Sequence, residues 1–222
     1  MSMDLLIFDL DGTLIDSRLD LAHSVNAMLA HFRLEPLETN LVASYVGNGA
    51  PVLIRRALGD HASDEMQRAG LEFFLKHYAA HDLDFTTLYP GVKESLERLQ
   101  AAGKRMAVLS NKPTPQSRHI LEGLGVGGCF FRVYGGDSFE LKKPNPMGVE
   151  ALLQEAGVDR GRTVMIGDSS VDVNTARNAG IRCCAVTYGF KPESLADPAP
   201  DLLADRMEQV ADWILDSNGA KK

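Results

Sequence analysis

Two aspartates close the apolar run Leu5, Leu6, Ile7, Phe8 in DLLIFDLDGTLIDS, residues 4–17. Asp9 and Asp11 are two apart, and side chains two apart in a strand share a face. Like charges held that close repel unless a proton, a cation or a lysine compensates them. Compensating groups and further carboxylates recur at the ends of later apolar runs. Ser110, Asn111 and Lys112 leave RMAVLS, Lys142 and Lys143 stand in ELKKPNP, and Asp168 leaves TVMIGD with Asp172 four residues on. The carboxylates Asp9, Asp11, Asp168 and Asp172, with an ammonium beside them, suit a hard cation with oxygen ligands. Mg2+ is the expected one, because it keeps several waters and shares phosphate oxygens. Such a site suits phosphoryl transfer. Asp9 is the expected nucleophile, forming an aspartyl phosphate, and Asp11 the acid that protonates the leaving alkoxide and later the base that activates water. Gly12 lets the chain turn so that successive N–H groups bind phosphoryl oxygens, and Thr13 supports the loop.

The elements that must position these groups are short apolar runs at residues 4–9, 105–109, 130–134, 162–166 and 181–186, with helical patterns between the later ones. They read as parallel strands. From 17 to 82 the apolar positions instead follow helical spacing, as in Leu21, Val25, Met28, Leu29 and Phe32. Pro36 is expected to end the first of these helices, Pro51 to open another, and Gly59 and Gly70 to punctuate the rest of the segment. After LYPG at 88–91 the alternation resumes and runs to an amphipathic stretch around Val210, Trp213 and Ile214. The expected architecture is α/β: a doubly wound, Rossmann-like parallel sheet from 1–16 and 83–222, with a helical cap domain, 17–82, inserted after the first strand. Ligands of such sheets bind outside the carboxyl ends of the strands, where the polar residues above fall.

Composition narrows the partners. The 222 residues are 45% hydrophobic and carry a formal net charge of -7, which argues against nucleic acid or an anionic membrane and for small-molecule chemistry; with the phosphoryl-transfer site above, the expected partner is a small phosphorylated metabolite. Cys129, Cys183 and Cys184 form no C-x-x-C pair, as expected of a reducing compartment, and no apolar run approaches membrane-spanning length. A cytoplasmic monomer or homodimer is expected. GLGVGG at 123–128 has the glycine spacing of a dinucleotide loop, but it follows a helical stretch and precedes a strand, so it reads as a helix C-terminal turn. His77 and His81 are four apart with no third ligand in view, and they read as ordinary surface.

Four ordered motifs resemble the haloacid dehalogenase superfamily of phosphatases: DLDGT at 9–13, Ser110, Lys143 in KKPNP, and GDSSVD at 167–172. The resemblance implies that Ser110 hydrogen-bonds the transferring phosphoryl group, with Asn111 beside it. It implies that Lys143 holds the charge of nucleophile and phosphoryl, that Asp168 binds magnesium, and that Asp172 is its neighbouring carboxylate. VGNGAP at 46–51, SNKP at 110–113 and AVTYG at 185–189 are similar to phosphoglycolate phosphatase-like members. Two departures are Ser110, where threonine is usual, and Asn145, where aspartate is common. The implied activity is magnesium-dependent hydrolysis of a phosphomonoester, with 2-phosphoglycolate as leading substrate and a sugar phosphatase or β-phosphoglucomutase-like mutase as the alternative. A noncatalytic phosphate-binding relative would be expected to lack Asp9 or Asp11. Asn48, flanked by Gly47 and Gly49, is expected to read the leaving group from a closing cap hinged near 14–18 and 82–88, with Arg55 a candidate cation for a small anion.

Overall fold

Four apolar residues in a row, all buried, make β1 (Leu5–Phe8) a strand covered on both faces. The computed structural model describes residues 2–59, 62–197 and 199–216. After β1 the chain forms the short β2 (Ile15–Asp16), then α1 (Arg18–His31), α2 (Thr39–Tyr45), α3 (Ala50–Leu58) and α4 (Asp64–His81). It continues through β3 (Thr87–Leu88), α5 (Val92–Ala101), β4 (Arg105–Leu109), α6 (Thr114–Gly123), β5 (Arg132–Tyr134) and α7 (Met147–Ala156). Then come β6 (Thr163–Gly167), α8 (Ser170–Ala179), β7 (Arg182–Val186), β8 (Leu202–Ala204) and α9 (Met207–Asp216). Asp16–Thr87 is one compact unit, and the chain on either side of it forms the other.

The larger unit carries a six-stranded sheet in the order β5-β4-β1-β6-β7-β8, parallel throughout. Leu5 lies opposite Arg105 on one side and Thr163 on the other. Leu5 and Ile7 share one face with Ala107 and Met165, against Val149 and Leu152 of α7 and Val173 and Ala176 of α8. Leu6 and Phe8 point the other way, and Phe8 meets Phe130 edge to face at 6.1 Å. A parallel sheet gathers its strand ends on one edge: Asp9, Ser110, Asp168 and Thr187 are the first residues past β1, β4, β6 and β7. Two features depart from the expected pattern. The edge strand β8 is only three residues long, and β2 and β3 pair as a separate two-stranded sheet; neither is long enough to show a period.

The smaller unit is helical. α1 buries Leu21, Val25, Met28 and Leu29 but ends at His31, ahead of Pro36. Phe32 and Leu34 donate back to Leu29, and Arg33 adopts a left-handed φ of 59°, so a backbone-closed C-terminus stops the helix before the proline is reached. Pro51 opens α3 in its first turn and Gly59 caps it. Gly70, expected to punctuate, lies inside α4 instead. A Cβ there would come within 3.2 Å of Leu58 and 3.3 Å of Ile54 and Met28, so this glycine serves close packing. His77 hydrogen-bonds Ser24 at 3.0 Å and His81 pairs with Asp84 at 2.8 Å, their rings stacked at 4.4 Å. Among the described residues no helix is long and apolar enough to cross a membrane.

Asp20 is the electrostatic anchor of this unit. It is 1% exposed and accepts from the Phe85 amide at 3.0 Å and the Thr86 amide and hydroxyl at 2.8 and 2.7 Å. Asp20→Ala is expected to destabilise the protein by about 3 kcal/mol, because the amides lose a charged acceptor where water does not replace it. Urea denaturation followed by circular dichroism checks this, and an unchanged midpoint contradicts it.

Candidate active site

Asp9 continues the ladder of β1 through its amide, which donates to the Ile166 carbonyl at 2.8 Å. Its side chain is fixed through one oxygen: Oδ1 accepts the Leu10 amide at 2.7 Å and pairs with Lys143 Nζ at 2.9 Å. Lys143 Nζ also reaches Asp172 Oδ1 at 2.7 Å. Burial alone would disfavour the ammonium, but Asp172 and Asp9 outweigh it and push Lys143 above the ordinary lysine range. Asn111 clamps the Lys143 backbone, its Oδ1 accepting the Lys143 amide at 3.0 Å and its Nδ2 donating to the Lys143 carbonyl at 3.1 Å. The side chain of Asn111, a residue the sequence offers for substrate contact, thus also holds the lysine loop.

Asp168 enters between glycines. Gly12 has φ +82°, and a Cβ on it would fall 2.3 Å from Asp168 Oδ2, so the position requires glycine both for backbone and for space. Asp168 Oδ2 accepts the Phe190 amide at 2.7 Å. Asp172 is fully buried at the start of α8. Its Oδ2 accepts from the amides of Asp168 and Ser169 at 3.3 and 3.2 Å and from the Ser169 hydroxyl at 2.9 Å. Both Asp172 oxygens are therefore engaged, one with Lys143 and one as a helix cap.

Carboxylate oxygens of Asp9, Asp168 and Asp172 lie within 4.8 Å of one another. Burial raises Asp9 to about 6 despite Lys143, with Asp172 adding to the rise. Burial, then Asp172 and Asp9, lifts Asp168 well above the usual carboxylate range. Three buried carboxylates around one ammonium leave negative charge that a hard cation relieves, and an all-oxygen donor set fits Mg2+. Asp11, expected as a fourth carboxylate ligand, is not one of these three; Lys112 Nζ pairs with it, at 2.8 Å to Oδ1 and 3.1 Å to Oδ2. The sequence alone assigns Lys112 no role. Its signal was its place in the polar run leaving β4.

The Ser110 oxygen accepts the Lys112 amide at 3.3 Å, and α6 starts only at Thr114, with no side-chain cap, so Ser110 is not spent on a helix end. Thr13 is buried within the loop, and among the described residues its Oγ1 has no hydrogen-bond partner. Asn48 and Gly49 belong to the helical unit, between α2 and α3, where Gly49 precedes the first turn of α3. Arg55 is exposed on α3.

A parallel α/β sheet with acidic and lysine side chains gathered at its carboxyl edge defines a Rossmann-like hydrolase core. The chain belongs to the haloacid dehalogenase-like hydrolases, whose family model matches residues 6–186. It is 39% identical over 218 residues to a phosphoglycolate phosphatase of Pseudomonas savastanoi pv. phaseolicola, covering 96% of this chain and 80% of that protein. It is 38% identical to one of Vibrio parahaemolyticus, with 95% of each chain covered. The crystal structure of a predicted phosphoglycolate phosphatase from Haemophilus somnus superposes with a TM-score of 0.90 at 33% identity, covering 98% of this chain and 99% of that one.

Proposed function

We propose that this hydrolase cleaves 2-phosphoglycolate to glycolate and phosphate through an aspartyl phosphate on Asp9. The asymmetry of Asp9 carries the reading: the Leu10 amide and Lys143 both fall on Oδ1, so Oδ2 is the oxygen left to attack. Oδ2 bonds to phosphorus as the bond to the glycolate oxygen breaks, and the proton of Asp11 goes to that oxygen. Asp11 then takes a proton from water, the water oxygen attacks phosphorus, and Asp9 leaves as a carboxylate. Lys143 and Ser110 hold the phosphoryl oxygens. Asp9 and Asp168 would hold Mg2+, which supplies positive charge to the phosphoryl group when bound.

The substrate assignment draws on the names of the relatives and on VGNGAP, SNKP and AVTYG. Phosphate release from 2-phosphoglycolate and a panel of sugar phosphates, with and without Mg2+, tests it. Magnesium-dependent release at least ten times faster from 2-phosphoglycolate is the expected result. Faster release from sugar phosphates moves the substrate. Phosphoryl return to a sugar without free phosphate overturns hydrolysis in favour of a mutase.

A further inference from the structure

The segment after β7, Thr187–Tyr188–Gly189–Phe190, supplies no reacting group to the chemistry above, yet each of its residues makes a distinct contact. Thr187 roots it: its amide donates to the Ala204 carbonyl at 3.0 Å and its hydroxyl to Asp205 at 2.6 Å. Gly189 passes so close to the site that a Cβ would fall 2.3 Å from Asp168 Cβ and 2.6 Å from the Gly12 carbonyl. The Phe190 amide holds Asp168 Oδ2 at 2.7 Å. Tyr188 reaches furthest, its hydroxyl donating to the Thr13 carbonyl at 2.9 Å.

The Thr13 carbonyl belongs to the loop that carries both reacting aspartates. That loop is wound tightly on itself, with the Leu10 carbonyl accepting from the amides of Thr13, Leu14 and Ile15 at 3.3, 3.0 and 3.2 Å. Its next carbonyl, Leu14, accepts the Tyr89 amide at 3.1 Å. The Tyr89 ring in turn packs on the Tyr188 ring, centroids 4.5 Å apart. Two successive carbonyls are thus gripped by two aromatic residues that brace each other. A phenol keeps its proton at neutral pH and donates.

We propose that Tyr188 is a positioning residue for the hydrolytic reaction, holding the Asp9–Thr13 loop in its attacking geometry through the Thr13 carbonyl. The proposal rests on the reading of Asp9 as nucleophile. Small displacements of reacting groups cost rate out of proportion to their effect on stability, because near-attack geometry is narrow.

Tyr188→Phe removes one oxygen and keeps the ring packed on Tyr89. Its kcat is expected to fall 10- to 100-fold with KM for the phosphoester within about two-fold, since the loss falls on the transition state rather than on ground-state binding. Amide hydrogen exchange at 10–14 is expected to quicken at least ten-fold. Thr163→Val is the comparator, losing a hydroxyl bond to the Asp159 carbonyl of 3.1 Å at the opposite, amino-terminal end of β6. It is expected to keep kcat and the exchange of 10–14. A Tyr188→Phe protein with wild-type kcat, or with unchanged exchange at 10–14, overturns the proposal and leaves the hydrolase reading standing. A wild-type protein that releases no phosphate from any phosphoester overturns the hydrolase reading and the proposal's reaction with it, whatever the exchange shows.

Discussion

Asp9→Asn is expected to abolish turnover, lowering kcat by about 10^4-fold or more, while making the metal-free protein more stable. The first half follows from chemistry: an amide oxygen is a poor nucleophile toward phosphorus, and removing the attacking group of a covalent mechanism typically costs that much. The second half follows from the charges. Burial and Asp172 raise Asp9 to about 6 from 3.8 in spite of Lys143, so its ionised form is penalised in the folded state relative to the unfolded chain. An acid whose folded value is raised costs nothing below the unfolded value, near pH 4. The cost builds between about 4 and 6 and is constant above that. Replacing the carboxylate removes it, so Asp9→Asn melts above the wild type at pH 7.5 without Mg2+, and the gap closes as the pH falls toward 4. Thermal melts at both pH values beside phosphate release check the two halves together. A variant that loses activity and stability at pH 7.5 has a damaged fold, and the nucleophile assignment then lacks support.

The parts of this site legible in the chain are those fixed by local pattern. Asp9 and Asp168 directly follow buried strands of four and five residues, so a parallel sheet must deliver both to one edge. Lys143 lies in a loop, and its pairing is visible only once the sheet order places it against Asp9 and Asp172. What stayed hidden is long-range. Lys112 meets Asp11 across 101 residues and Tyr188 meets Thr13 across 175, and no spacing in the sequence announces either. The role of Asn111 as a clamp is hidden for the same reason. A polar residue beside Ser110 suits substrate binding equally well, and only the fold shows its amide group closed on the Lys143 backbone. Gly70 illustrates the reverse error, since a glycine that breaks helices on propensity is kept inside α4 by the closeness of Ile54, Leu58 and Met28.

Lys143→Met is expected to cost both fold and function, and a second substitution separates them. Lys143 is buried at 6% exposure and is the ammonium between Asp9 and Asp172. Removing one partner of a buried charge cluster leaves the others uncompensated, at a cost of about 3–5 kcal/mol. Asp172 bears most of it. Its second oxygen is already committed to the Asp168 and Ser169 amides, so it has no route to water. Adding Asp172→Asn to Lys143→Met neutralises that orphaned charge while an amide oxygen still accepts from the two backbone amides. The double variant is expected to recover at least half of the lost stability in urea denaturation. Its kcat is expected to remain about 10^3-fold or more below wild type, because the ammonium that orients Asp9 Oδ1 and neutralises the transferring group is still missing. Recovery of stability without recovery of rate identifies Lys143 as a group that acts on the phosphoryl charge as well as on the fold. If rate returned with stability, its role would be structural, and the charge neutralisation would have to come from Lys112 or the metal alone.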